Sequence, residues 1–99
     1  MELAAELERT ARLCEETAEL YVVHHGDDVS ADVVTGLLLA AAAFDTAVDA
    51  VESETALLIS ATLARDAVAA ARRGRDSMLL DCVTALRRVT ALCEAAAGR

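Results

Sequence analysis

The chain is expected to fold as an all-α, antiparallel up-down-up-down four-helix bundle, and three observations lead there. Proline is absent while alanine fills 23 of the 99 positions, so the strongest helix breaker is missing and the best helix former is abundant. Apolar residues recur at spacings of three and four along four stretches of about 20 residues, the pattern of a helix face packed in a bundle. Only short polar segments separate these stretches, and short connections make successive helices antiparallel neighbours. A single domain, residues 1–99, accounts for this length, since domains commonly run to ~100–150 residues.

The first helix is expected over about 2–23, with Leu3, Leu7, Thr10, Cys14, Thr17 and Tyr21 on its inner seam. Leu13 and Leu20 flank that seam and widen the core-facing surface. It stops at His24-His25-Gly26-Asp27-Asp28. Gly26 suits a left-handed C-terminal position, and histidines near a helix C-terminus suit the macrodipole. Asp28 or Ser30 then caps a second helix over about 30–52, with inner residues Leu37, Ala41, Phe44, Val48 and Val51. Its run Leu37 to Phe44 is apolar on nearly every face, so burial on two sides is expected. Gly36 costs about 1 kcal/mol against alanine in an exposed helix interior, and a close helix crossing or a tolerated cost accounts for it equally well.

Ser53 caps the third helix, over about 54–73, with Leu57, Ala61, Ala64, Val68 and Ala71 as its stripe; the alternative is a second and third helix continuous through the weak break at Glu52-Ser53-Glu54-Thr55. Leu58, Ile59 and Leu63 lie off this stripe and predict a second contact surface. Arg72, Arg73 and Gly74 end that helix, with the glycine expected just past its last turn. Asp76 or Ser77 opens the fourth, over about 77–97, whose seam reads Leu79, Cys82, Leu86, Val89 and Cys93.

Charge narrows the partners. The net charge is −8, and it is uneven: residues 1–50 carry 11 acids against Arg9 and Arg12, while residues 51–99 carry 6 acids against 7 arginines. An acidic first half disfavours nucleic acid and anionic membrane surfaces. The longest uninterrupted apolar run, from Gly36 to Phe44, is too short for a membrane span and has Asp32 before it and Asp45 and Asp49 after. The N-terminus is acidic and does not read as a signal peptide. A cytoplasmic location is therefore expected, with the odd number of cysteines, three, kept as thiols.

Candidate chemistry rests on those cysteines. Soft thiolates select Cu(I) or zinc, which makes Cys14, Cys82 and Cys93 the candidate metal ligands. Cys82 and Cys93 share a helix face but lie 11 residues apart, about 16 Å along the axis, so they cannot hold one ion. Matching the ends of the first and fourth helices places Cys14 level with Leu86 or Arg87, away from both thiols. Buried cysteine acting as a small apolar residue is accordingly the first reading. His24, His25, Asp27 and Asp28 read first as a helix stop and solvated charge, and only second as a loop metal site. A Cys82–His24 dyad is geometrically conceivable. No Glu-x-x-His triplet of the di-iron bundles occurs, and no Gly-rich phosphate loop or basic aromatic stripe is present. No catalytic residue is assigned.

The fourth seam resembles the C-x2-C-x3-C-x2-C-x3-C repeat of the cysteine-rich four-helix copper storage proteins. That frame reads Leu79, Cys82, Leu86, Val89 and Cys93 here, with Cys14 on the first helix and no cysteine on the second or third. The resemblance implies a four-helix tube whose inward cysteines hold Cu(I), with this chain a cysteine-depleted relative on that scaffold. The functional expectation is a small non-enzymatic bundle that acts by association, as a homo-oligomer or a partner-binding module, with no cofactor. Residual Cu(I) binding through the thiols is the alternative, and an apolar ligand held between the alanine-rich helices is the third.

Overall fold

The computed structural model describes residues 2–98 and consists of four helices: α1 (Leu3–His25), α2 (Ala31–Val48), α3 (Glu54–Gly74) and α4 (Leu80–Ala97). Short 3-10 turns at Gly26–Asp28 and Ser77–Leu79 lead into α2 and α4. Contacts between helices give their directions. Gly36 abuts Ala67, and the Ser60 hydroxyl donates to the Ala43 carbonyl at 3.3 Å, so α2 and α3 run antiparallel. Cys14 meets Cys82 while Glu6 pairs with Arg88 at 3.4 Å, so α1 and α4 do the same. The all-α bundle expected from the sequence is the fold observed, 43 Å long and 20 Å across.

Each helix start has its own chemistry. The Ser30 and Ser53 hydroxyls accept from the backbone N–H groups of Val33 (3.5 Å) and Ala56 (3.2 Å), satisfying donors that α2 and α3 cannot satisfy internally. Asp76 caps the turn before α4 through Met78 N–H at 2.9 Å. The core then assembles large side chains from three helices around a slender α3. Leu7, Leu37, Phe44, Leu79 and Leu86 are fully buried. Apart from Leu57, the buried positions of α3 are Ser60, Ala61, Ala64, Ala67, Ala70 and Ala71. Small residues let α3 approach closely: a Cβ on Gly36 would sit 3.2 Å from the Ala67 Cα. The glycine in the middle of α2 is thus explained by a helix crossing.

Six sequence expectations need correction. α2 ends at Val48 rather than near residue 52. Two tight turns, Ala50 N–H to Ala47 and Ser53 N–H to Ala50, reverse the chain there, and Val51 folds back onto the core from the loop. Leu20, expected to widen the inner face of α1, is 61% exposed. Gly74 is the last residue of α3, and the left-handed position after it belongs to Arg75 (φ 53°, ψ 33°). Gly26 does take positive φ (56°), but with ψ −118° it lies outside the left-handed helical well. α1 also extends through both histidines to His25, and α4 proper begins three residues later than expected.

α2 is, among the described residues, the helix long and apolar enough by length and composition to cross a membrane. The sequence estimate counted an uninterrupted run, whereas 18 residues with mean hydropathy 1.6 tolerate the aspartates. Its inner residues Val33, Leu37, Ala40, Ala41, Phe44 and Ala47 are committed to the core. Its outer face carries Leu38 and Leu39, about half exposed. Burial on two sides is therefore not what α2 achieves within one chain.

Candidate functional site

Cys14 and Cys82 face each other across the α1–α4 seam with their sulfurs 3.6 Å apart. The sequence expectation held these thiols apart, and the structure overturns it. Matching helix ends was the error. From His25 back to Cys14, α1 rises 11 residues, about 16 Å. The other strand of the seam runs from Asp76, the partner of His25, to Cys82 in only six residues. It does so because Asp76 is extended (φ −96°, ψ 122°) and the next three residues form a 3-10 turn with its longer rise. The register slides by about one helical turn, which brings Cys82 to the level of Cys14.

The pair is dry and coupled. Both residues are at most 1% exposed, and all three cysteines are free thiols. The sulfur–sulfur hydrogen bond, then burial, push the Cys14 thiol far above the ordinary thiol range. The same hydrogen bond, helped by the Thr17 hydroxyl, lowers Cys82. Physically, one thiolate can form because its neighbour donates to it; a second, beside the first in a low-dielectric seam, is strongly opposed. Cys93 lies 11 residues further along α4 in its own apolar surroundings, and burial alone raises it to about 11.

Metal–thiolate bonds of about 2.3 Å to sulfurs 3.6 Å apart would subtend about 100°, an angle of a tetrahedral site of four ligands rather than of a linear two-thiolate site. Two sulfurs are what the seam offers: among the described residues no group of three or more His, Cys, Asp or Glu side chains converges to hold a metal. Cys93, the third candidate, is not brought to the pair.

The histidines are placed at the end of that seam. His25 hydrogen-bonds the Asp76 carboxylate, with the Tyr21 ring packed on it at 4.5 Å between centroids. The Tyr21 hydroxyl accepts from Ser30 N–H at 3.1 Å, so one buried aromatic links α1, the α2 cap and the α4 entry. Asp76 is held below the usual carboxylate range, first by Met78 N–H and then by His25. From the sequence His25 is a solvated helix end, and the structure instead sets it against Asp76. The available signal was the pairing of two short loops at one end of an antiparallel bundle, which puts Asp76 over His25.

The outer surface has a second feature. Leu39, Ala42, Ala43 and Thr46 of α2 and Ala56, Ile59 and Leu63 of α3 line a groove of about 430 Å³ without a charged side chain. It continues across Thr55, Leu58, Ile59 and Thr62 on the outside of α3. Leu58 and Ile59 are 44% and 51% exposed. A second groove, between α1 and α2, is lined by Val22, Val23, Val34 and Leu38 but also by Glu15 and Glu19. No family model, curated protein or solved structure matches this chain.

Proposed function

We propose that the chain works by association, as a small non-catalytic helical bundle whose exposed apolar surface is covered by another copy or another protein. The uncharged surface formed by Leu39, Leu58, Ile59 and Leu63 carries this reading. Three of those side chains are 44–51% exposed, and contiguous apolar area on a small domain with no enzyme-like constellation is a feature of interaction sites. Acidic residues over the first half keep nucleic acid and anionic membranes away from the list of partners. Light scattering over a concentration series tests the proposal. Assembly above the 10.4 kDa protomer mass is expected, and a monodisperse monomer at millimolar concentration contradicts self-association.

A second reading is soft-metal binding, favoured by the 3.6 Å separation of Cys14 and Cys82. In it the chain is a cysteine-depleted relative of the copper storage proteins that keeps two facing thiolates, and Cu(I) would be its cargo. Deprotonation of the coupled pair would be driven by the metal, which removes the repulsion between the two thiolates. Reduced thiols suit a cytoplasmic location. Cu(I) titration against a competing chelator decides this reading: one tightly held ion is expected in the wild type and none in Cys14→Ser/Cys82→Ser. Equal uptake by the two proteins would end it.

A further inference from the structure

We propose that the α2–α3 surface is a two-fold interface between two copies of this chain, with α3 packed antiparallel on α3 about an axis between Leu58 and Ile59. The inference rests on the association reading and specifies its partner, face and register.

From Thr55 to Thr62 the exposed residues of α3 are Thr55, Leu58, Ile59 and Thr62. By type (hydroxyl, aliphatic, aliphatic, hydroxyl) they match in both directions about the point between Leu58 and Ile59. An isologous two-fold contact requires this kind of self-match, since each residue meets the mirror position of the other copy. Antiparallel packing about that point lays Leu58 on Ile59 of the second copy and Thr55 beside its Thr62. The β-branched and hydroxyl side chains thus meet like with like, and the apolar pair occupies the centre.

Charges at the rim obey the same mirror. Glu52, in the turn before α3, and Glu54, in its first turn, lie at the end of α3 that would meet Arg65 of the second copy. Arg65 belongs to the ion pair with Glu94 and is still more than half exposed, so its guanidinium can serve a second carboxylate. Each copy would contribute one such contact at either end of the apolar centre. Small residues Ala42 and Ala43 beside the groove leave room for the approach of the other helix. The α1–α2 groove has no equivalent: Glu15 and Glu19 line it, and mating it with itself would set carboxylates against carboxylates. A lipid surface is the poorer occupant, because Asp45, Asp49, Glu52 and Glu54 border this end of the bundle and are repelled by anionic headgroups.

Single cysteines introduced into the full chain test the register, since the native thiols are buried and do not compete. With diamide as the two-electron oxidant, Ile59→Cys should form a covalent dimer at least tenfold faster than Ala69→Cys, which lies on the same exposed stripe far from the axis. Arg65→Glu should raise the dimer dissociation constant at least tenfold, and adding Glu52→Arg should restore it. Circular dichroism of each variant confirms that helix content is unchanged. If light scattering finds a dimer yet Ala69→Cys cross-links as fast as Ile59→Cys, this interface is wrong and the association reading survives. A monomer that neither cross-links nor self-associates overturns both. Uptake of the wild type by neutral phosphatidylcholine vesicles, abolished by Ile59→Glu and without any dimer, overturns the two-fold contact in favour of a lipid surface.

Discussion

Two helical glycines should respond differently to alanine, and the difference follows from distances. At Gly74 an added Cβ would meet the Val33 Cγ2 at 3.8 Å, an ordinary van der Waals contact. Gly74→Ala, at a backbone conformation alanine adopts freely, therefore lowers the unfolded-state entropy without a clash, about 0.5–1 kcal/mol of stability. At Gly36 the same Cβ would lie 3.2 Å from the Ala67 Cα and 3.6 Å from its Cβ. The near atom is backbone, so α2 and α3 must part by a few tenths of an ångström along a closely packed crossing. Overpacking of this kind costs about 1–3 kcal/mol, against a propensity gain of about 1 kcal/mol. Gly36→Ala should thus fall between neutral and about 2 kcal/mol less stable. Thermal unfolding followed by circular dichroism, at one fixed protein concentration, reads the pair directly. With about 4–8 °C per kcal/mol for a domain of this size, the two variants should differ by about 2 °C or more. Equal stabilisation by both substitutions would refute the close crossing, and with it the account of why α3 is built from alanine.

Other consequences can be checked on the same footing. Arg75 occupies the left-handed region, which costs a residue with a Cβ about 1–2 kcal/mol; after the entropy cost of glycine, Arg75→Gly should stabilise by about 0.5–1 kcal/mol in urea unfolding. Asp76 has a lowered folded-state pKa. Its carboxylate therefore stabilises the fold above its unfolded pKa, near about pH 4, and that contribution is lost as the pH falls through the folded value. Asp76→Asn keeps the acceptor for Met78 N–H without the charge, so melting temperatures from pH 6 to 2 should fall less steeply in the variant than in the wild type. Parallel curves would contradict this assignment. All three cysteines are at most 1% exposed, so iodoacetamide labelling followed by mass spectrometry should proceed only at the rate of unfolding and accelerate with urea.

The helices were legible in the sequence because their signals are local. Seam spacing located Cys14, Leu37, Phe44, Leu57, Leu86 and Cys93, which are all buried, and the serine caps at Ser30 and Ser53 mark the starts of α2 and α3. Gly36 left a close crossing and a tolerated cost equally open, which its approach to Ala67 decides, and Leu58 and Ile59 announced an outward apolar face. What was not legible depends on how far a loop reaches. The Cys14–Cys82 pair exists because Asp76 to Leu79 is stretched relative to an α-helix, and a seam pattern carries no information on that offset. Leu20 shows the other limit. An apolar residue one step off the seam can face inward or outward depending on where the neighbouring helix sits, and at this level of α1 no neighbour covers it.

Ile59 is the only isoleucine in the chain, so its δ-methyl group gives a single unambiguous carbon–proton resonance at the proposed axis. Recording that resonance from micromolar to millimolar protein tests the association of this surface most directly. It should shift or broaden with concentration and saturate together with the mass reported by light scattering, while methyl groups of the buried core hold still. An Ile59 resonance invariant across that range, in a protein that remains 10.4 kDa, would contradict the account.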